Sequence, residues 1–286
     1  MRTILLAIFF EFGAHFGVAG WNAQTDYVDH QVGLNAGGQA YFSWISSEIY
    51  GLRTGFTLDV HNSAFSKSNY QDAYSTLDVD DQRMDIAYSI GQLQERHTVW
   101  SFGIPLQLGL NIWNFTLFAG PKVVFPLSAT YRQNIQNAAL SVYYPDYDNR
   151  VEESATLAAS RSFEYQSKGK IEVPKVQFWL ATELNYTLPI ENWATNYRTY
   201  IMVGAYFDYC LTPLTPAASD AESLIMLTDT RDGFPLQRLY TTVWEGNRQN
   251  TKLVSRISPF DVGIKISFAI SPFDPHPSAH HSCHCL

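Results

Sequence analysis

A strict alternation of apolar and polar residues, repeated in segments along the chain, constrains the fold most. In "WSFGIPLQLGL", every second residue from Trp100 to Leu110 is apolar, and the residues between them are small or polar. The segment "FDVGIKISFAI", from Phe260 to Ile270, repeats the pattern. A period of two places alternate side chains on opposite faces of a β-strand. The sequence therefore predicts an all-β protein.

The alternating segments are roughly 12–16 residues long, enough to cross a bilayer when tilted. They come in pairs joined by short turns, and long, Tyr-rich polar stretches separate the pairs, well above the usual loop length of about 4–6 residues. Short turns at one end and long loops at the other are typical of bacterial outer-membrane β-barrels. The paired segments are Val32–Trp44 with Leu52–Phe65, His97–Leu110 with Phe115–Tyr131, and Val173–Leu188 with Thr199–Leu211.

The composition excludes several other classes of protein. Only 16% of the 286 residues are charged and 15% are aromatic, yet no run of about 18 apolar residues predicts a transmembrane helix. The net charge is −8 and no Lys/Arg cluster offers a footprint for a phosphate backbone, so we expect no nucleic-acid partner. The three cysteines cannot organise the fold through disulfides, because two of them share the last few residues.

Periodicity alone does not distinguish a lipid-facing barrel from a soluble sandwich or lipocalin-like protein, in which the apolar face is buried. Small and charged residues share the other face here, which favours a crowded barrel interior over a water-exposed surface. Three tryptophans also fall at the three short turns, where an aromatic girdle at the membrane interface is expected. These are Trp44, Trp113 and Trp193.

The even number of strands expected of a barrel indicates that the N-terminal segment is also a strand. Bacterial single-chain barrels have an even number of strands, but only seven candidates follow residue 29. Phe9–Trp21 alternates as an eighth strand should, with Glu11 and His15 on its polar face. The apolar run before Glu11 also resembles a secretory signal, although Glu11 and His15 interrupt it. Both interpretations stay open: a first strand whose targeting signal lies in residues 1–8 or upstream of a misassigned start, or a signal cleaved near residue 20 or 23.

Several segments together resemble the small eight-stranded outer-membrane barrels abundant in Bacteroidota, the PorT-like group. They are "FEFGAHFGVAGW", "GLRTGFTLDV", "FGIPLQLGL", "FTLFAGPKVVFPLSATY" and "FDVGIKISFAI". The resemblance covers nearly all strands and implies location and architecture, but it carries no catalytic residue. The last segment also resembles the C-terminal signal read by the barrel assembly machinery, although here the chain continues for about sixteen residues beyond it.

We therefore expect an eight-stranded antiparallel transmembrane β-barrel in the bacterial outer membrane, with periplasmic termini and three long extracellular loops. The barrel is expected over residues 9–270, after an N-terminal extension or residual signal at 1–8 and before a disordered periplasmic tail at 271–286. The expected partners are outer-membrane lipid and lipopolysaccharide, the barrel assembly machinery during biogenesis, and an envelope or secretion complex.

The phase of the strands assigns a charged set of residues to the lumen. An eight-stranded barrel is just wide enough for side chains to fill it, and buried charges must be paired, so we predict a plug of ion pairs. The alternative is a narrow ion or proton path. The predicted lumen residues are Glu11, His15, Arg53, Asp59, His61, Lys122, Lys175, Glu183, Asp208, Asp261 and Lys265.

Two other groups contain side chains of the types that serve in catalysis or in metal binding. His61 and His97 share the lumen phase near the outer ends of adjacent strands, and Asp59 lies two residues below His61. A histidine with an orienting carboxylate is the basis for the hypothesis of a hydrolase at the barrel rim. No nucleophile motif accompanies these residues. The tail "DPHPSAHHSCHCL" is rich in His and Cys, but its spacing matches no structural zinc site. We predict no metal site and no cofactor, and a packing role for Cys210.

The function expected from the sequence is non-enzymatic. Tyr and Trp are enriched in binding surfaces, and the long loops contain "DAYSTLD", "SVYYPDYDNR" and "QRLYTTVWEG". We expect a protein that binds a macromolecule through these loops or that belongs to an envelope complex. The alternatives are a small-solute channel or transporter and, third, the rim hydrolase.

Overall fold

The computed structural model describes residues 6–23, 29–46, 50–77, 81–145, 149–151, 163–190, 198–214 and 256–273. This part of the chain is almost entirely β-structure, and it contains no helix that is long and apolar enough to cross a membrane. The strands are β1 (Leu6–Ala23), β2 (Asp29–Ser46), β3 (Tyr50–Leu77), β4 (Arg83–Ile112), β5 (Phe115–Tyr144), β6 (Asn149–Val151), β7 (Phe163–Lys170), β8 (Gln177–Ile190), β9 (Arg198–Cys210) and β10 (Ile257–Phe273).

Eight of these strands form a closed antiparallel ring. Their order is β4-β3-β2-β1-β10-β9-β8-β5, and pairing between β4 and β5 closes the barrel. The short strands β6 and β7 lie outside the ring and both pair with β5. The predicted eight-stranded antiparallel barrel is confirmed.

The N-terminal segment is a full member of the barrel. β1 pairs with β2 along one edge and with β10 along the other, so it joins the two ends of the chain. Glu11 and His15, which interrupt the apolar run, are turned to the inside, where Glu11 is buried. Phe12 and Phe16 alternate with them and are exposed on the outside.

Three strands are far longer than the sequence pattern indicates. β3, β4 and β5 have 28, 30 and 30 residues, so most of the first predicted loop and the start of the second are continuations of these strands. The alternation is hard to read there because its phase slips. Asn69 and Asn137 have left-handed backbones with φ of 51° and 55°, and they lie on β3 and β5 at the level of Gly91 on β4. The third predicted loop, from Thr212 to about Thr251, lies outside the described residues from position 215 onward.

The outer surface of the barrel carries an apolar belt. On β4 the belt reaches from Trp100 to Ile112, and Arg96 is exposed beyond its upper edge. Its length is close to the roughly 9–11 residues with which a tilted strand crosses a bilayer. Leu108 is 70% exposed on this face, whereas Gln107 beside it is fully buried inside the barrel. The polarity is thus the inverse of that of a water-soluble barrel, and it suits a protein surrounded by lipid.

Above the belt the polarity reverses, and β3, β4 and β5 enclose a small apolar core. On β4 the buried positions change from Glu95 and His97 in the lower part to Ile86, Tyr88 and Ile90 in the upper part. We call the part of β3–β5 beyond the belt the outer extension. Its core, including the residues that close the mouth of the barrel, contains Trp21, Phe65, Tyr74, Ile86, Tyr88, Ile90, Leu93, Ala129, Ile135, Ala138, Val142, Ile171, Leu214 and Ile257.

Candidate functional site in the barrel lumen

The lumen is crossed at one level by what we call the lower cluster: Glu11, Arg53, Glu183 and Lys265. Arg53 Nη2 lies 2.6 Å from Glu183 Oε2, and Arg53 Nη1 lies 3.5 Å from Glu11 Oε2. Lys265 Nζ lies 3.2 Å from Glu11 Oε1 and also pairs with Glu183. Because β1, β3, β8 and β10 each supply one member, the cluster ties distant walls of the barrel together.

Aromatic and amide groups complete the surroundings of Arg53. Its guanidinium carbon lies 3.9 Å from the centre of the Phe118 ring and 4.4 Å from that of Tyr41. Arg53 Nε and Nη2 donate to Gln107 Oε1 at 3.0 and 2.6 Å. A buried charge is tolerated when it is paired and its donors are satisfied, and the Arg53 side chain meets both conditions while it blocks the lumen.

A second set, the middle cluster, consists of His15, Asp59, Lys122 and Asp208. Lys122 Nζ lies 3.1 Å from both Asp59 Oδ2 and Asp208 Oδ2. His15 Nε2 lies 3.0 Å from the other oxygen of Asp59. Thr57 Oγ1 donates to Asp59 Oδ2 at 2.8 Å. One lysine, Lys122, thus bridges two carboxylates of the middle cluster, and Asp59 also contacts His15.

Next to the middle cluster lies a chain of three residues, which we call the upper triad: Ser101, His61 and Asp261. His61 Nε2 lies 2.9 Å from Ser101 Oγ, and His61 Nδ1 lies 2.9 Å from Asp261 Oδ2. The side-chain amide of Asn35 lies 3.3 Å from the same Nδ1. Strands β4, β3 and β10 supply the three members of the triad.

His97 belongs to a separate arrangement, the His97 cluster, formed by Ser63, Glu95, His97 and Gln133. His97 Nε2 lies 2.6 Å from Glu95 Oε1, and Ser63 Oγ lies 3.3 Å from His97 Nδ1. Gln133 donates to the other oxygen of Glu95 at 2.6 Å. The indole of Trp21 stacks on the His97 ring with 4.1 Å between the ring centres, so this imidazole is sealed from solvent.

A cavity opens beside the upper triad. His61, Ser101 and Asp261 line it, together with apolar side chains from several strands and from the segment that follows β9. The volume enclosed inside it is about 20 Å³, which is room for about one water molecule. The other lining residues are Ala19, Gly20, Trp21, Asn62, Val99, Val124, Val173, Gln177, Trp179, Leu214, Pro259 and Phe260.

One predicted lumen residue is wrong. Lys175 is exposed, because it lies in the irregular segment between β7 and β8, where the strand alternation used to assign its direction does not apply. The other predicted charged residues and both histidines lie in the lumen clusters described above.

The tryptophans predicted at the short turns have two outcomes. Trp44 is exposed near the end of β2, and Trp113 is 94% exposed in the turn between β4 and β5. Trp193 lies outside the described residues. Cys210 is fully buried against Val124 and Trp179.

Sequence reasoning missed several residues of the lumen. Ser101, Glu95, Gln107 and Asn35 are buried and hydrogen-bonded to the charged groups. Their inward phase was available from the alternation of β2 and β4, but a polar residue on an inner strand face does not by itself show which group of the lumen it contacts. Within the described ranges, no group of three or more His, Cys, Asp or Glu side chains is arranged to hold a metal ion.

Comparisons with known proteins give distant similarities in structure alone. No family model matches the sequence, and no curated protein matches it. The chain is similar to the attachment invasion locus protein Ail of Yersinia pestis, at 7% identity and a TM-score of 0.28, over 91% of this chain and 97% of that one. It is also similar to Neisserial surface protein A, at 10% identity and a TM-score of 0.28, over 90% and 95% of the two chains. The outer-membrane protease OmpT of Escherichia coli follows, at 9% identity and a TM-score of 0.26, over 95% and 99%. At such low scores, the likeness carries no argument about activity.

Proposed function

We propose that the protein is an integral barrel of the bacterial outer membrane that binds a macromolecular partner through its outer extension, as a surface-binding or envelope-complex component. The observation that carries the proposal is the length of β3, β4 and β5, which continue beyond the apolar belt and enclose a core of their own. Crossing the membrane needs only about 9–11 residues of each strand, so the extension serves some other purpose.

The outer extension has the properties of a rigid binding platform. Ile86, Ile90 and Leu93 are almost fully buried within it, and its backbone is paired from strand to strand up to Leu77 and Arg83. A surface built on paired strands loses less conformational entropy on binding than a flexible loop would. Gln71, Ser75 and Gln92 are exposed on its surface, together with the small residues Ala73 and Ala87 and with Leu77 at its tip.

The lumen clusters argue against the alternative of a small-solute channel. The lower cluster links four buried side chains from four strands across the lumen: Arg53, Glu183, Lys265 and Glu11. Eight strands leave an interior that side chains fill, whereas water-filled pores are found in barrels of about 16–18 strands. We therefore assign the lower cluster a structural role.

The test is removal of the outer half of the β3–β4 hairpin from the outer extension without opening the barrel. Tyr70 and Ile90 face each other in the ladder, so residues 71–89 are replaced by an Asn-Gly turn, which favours tight hairpins. Cells that carry this variant or the full chain are crosslinked, and the captured proteins are compared. We expect the shortened barrel to lose its partners, while Trp113→Ala at the opposite end keeps them. Identical partner sets from the shortened and full chains would refute the proposal, provided that both migrate as folded barrels.

A further inference from the structure

The upper triad has the connectivity of a nucleophile, a general base and an orienting carboxylate. A carboxylate oxygen accepts hydrogen bonds, so the contact of 2.9 Å between Asp261 Oδ2 and His61 Nδ1 assigns the proton of His61 to Nδ1, with the Asn35 amide turned to present its oxygen to that N–H. The other nitrogen, Nε2, then accepts the hydroxyl proton of Ser101 across 2.9 Å. The same proton arrangement activates serine in hydrolases of unrelated fold.

We propose that Ser101, His61 and Asp261 form a catalytic site that hydrolyses a carboxylic ester with a small or slender acyl group. Ser101 and His61 act on the reacting atoms, and Asp261 is a positioning residue. The proposal does not rest on the outer extension or its partner, and it departs from the non-enzymatic function expected from the sequence.

The cavity beside the triad encloses room for about one water molecule, so we assign the acyl chain of the substrate to its open mouth and only the carbonyl group to its interior. Trp179 packs with its indole stacked near the His61 ring, 5.8 Å between centres. Val99, Val124 and Phe260 line the cavity with it and provide an apolar surface for an acyl chain. Ser101 is almost fully buried and lines this cavity, so we assign the cavity as the path by which a carbonyl group reaches its hydroxyl.

The lining of the cavity also contains an amide, that of Gln177, to which we assign the role of donor to the oxyanion. Gln177 lines it, and the Oε1 atom of Gln177 already accepts a bond of 3.1 Å from Trp179 Nε1. That bond fixes the amide so that its NH₂ group is the donor. A preorganised donor near the developing charge of the tetrahedral intermediate is a large source of rate acceleration.

Both strands that carry the reacting residues are opposed by ladder irregularities. The register between β4 and β5 shifts between Trp100 and Ser101. The register between β2 and β3 shifts between Val32 and Asn35, the residue paired with His61. Bulges re-aim side chains and are common beside active sites, and here two of them lie at the level of the triad.

The His97 cluster resembles the upper triad in composition but differs from it in the serine contact and in access to the cavity. It also joins a serine, a histidine and a carboxylate, but its serine contact is longer, at 3.3 Å. Trp21 covers its imidazole, and neither Ser63 nor His97 lines the cavity. Ser63 is therefore a matched control for Ser101: a buried serine bonded to a buried histidine, with no access to substrate.

The reaction balances with water as the only co-reactant. Ser101 Oγ forms a bond to the ester carbonyl carbon, and its proton moves to His61 Nε2. The bond to the alcohol oxygen then breaks, and the alcohol leaves with the proton from His61. Water attacks the acyl-serine after it loses a proton to His61, and that proton returns to Ser101 Oγ as the carboxylic acid is released.

The experiment uses the full chain, refolded in detergent, and a fluorophosphonate probe that reacts with activated serines. Hydrolysis of p-nitrophenyl butyrate is measured in parallel. Heat-dependent mobility on a gel confirms that each sample is a folded barrel. We expect the probe on Ser101, and Ser101→Ala and His61→Gln should lower labelling and hydrolysis by about 10³-fold or more. Ser63→Ala should match the wild type.

The role of Asp261 needs a separate readout. Asp261→Asn leaves nucleophile and base in place but no longer holds His61 in the required tautomer, so the maximal labelling rate should fall by about 10²-fold or more. The probe concentration that gives half-maximal rate should not change. An unlabelled folded wild type would overturn the proposal, and so would labelling that persists in Ser101→Ala or that falls equally in Ser63→Ala. None of these outcomes bears on whether the outer extension binds a partner.

Discussion

Arg53 on β3 and Glu183 on β8 meet across the lumen, with 2.6 Å between Nη2 and Oε2. The two strands are not neighbours in the barrel, since β4 and β5 lie between them on one side. The ion pair therefore connects opposite walls of the barrel and is not a contact between neighbouring strands. Loss of this ion pair should lower the stability of the whole barrel.

Replacement of Arg53 by alanine should destabilise the folded barrel by about 3–5 kcal/mol, because Glu11 and Glu183 are left buried with less compensation. Urea titration of the protein in lipid vesicles, followed by tryptophan fluorescence, measures the change. The control is Arg83→Ala, which removes an exposed pair with Asp85, and surface pairs contribute about 0–1 kcal/mol. Equal losses in the two variants would contradict a bracing role for Arg53.

Gly37 should be intolerant of a side chain, whereas its neighbour Gly38 should accept one. A Cβ at Gly37 would lie 2.5 Å from the His15 ring and 2.6 Å from Asp59 Oδ1, so it would break the contact of these two groups in the middle cluster. A Cβ at Gly38 would meet its nearest atom at 3.9 Å.

We expect Gly37→Ala to cost about 1–3 kcal/mol through overpacking, and Gly38→Ala to be neutral or to stabilise by up to about 1 kcal/mol. The same urea titration distinguishes them. A pair of adjacent glycines with indistinguishable effects would show that His15 and Asp59 do not meet over Gly37.

Much of the barrel could be predicted from the sequence because lipid imposes a simple rule. Alternation with apolar residues outside places Glu11, Arg53 and Asp208 inside without any knowledge of the register. The contacts between them could not be predicted, since tilt and stagger decide which inward residues from distant strands share a level. Asp261 reaches His61 from β10 for this reason, although β1 and β2 lie between their strands.

The outer extension was harder to predict than the barrel. Above the belt water replaces lipid, the apolar residues turn inward, and the phase slip near Asn69, Gly91 and Asn137 breaks the period of two. A polar, Tyr-rich segment with a broken period resembles a loop. The role of Ser101 was equally hidden, because a small polar residue on an inner face is ordinary until its neighbours are known.

The apolar belt predicts that the free-energy cost of a charged substitution depends strongly on its depth in the membrane. Leu106 is 52% exposed near the middle of the belt on β4, and an arginine at the midplane of a bilayer costs about 2–4 kcal/mol. Leu106→Arg should therefore reduce the free energy of folding into vesicles by that amount. Gln92→Arg, at an exposed site beyond the belt, should change it by less than about 1 kcal/mol. The reverse order would mean that the apolar face does not contact lipid.

The position of β1 between two paired strands predicts the effect of a proline near its middle. Ala14 is exposed on the outside and pairs with Gly38 on β2 and Ile266 on β10. Proline removes a ladder N–H and is not tolerated between two paired strands. The chain, expressed behind a strong secretory signal, should therefore lose its compact, heat-sensitive gel band on Ala14→Pro and keep it on Ala14→Val. If the segment were instead a signal removed near residue 20, both variants would give the same folded band and the mature N-terminus would begin after it. A normal barrel from Ala14→Pro would thus remove β1 from the ring.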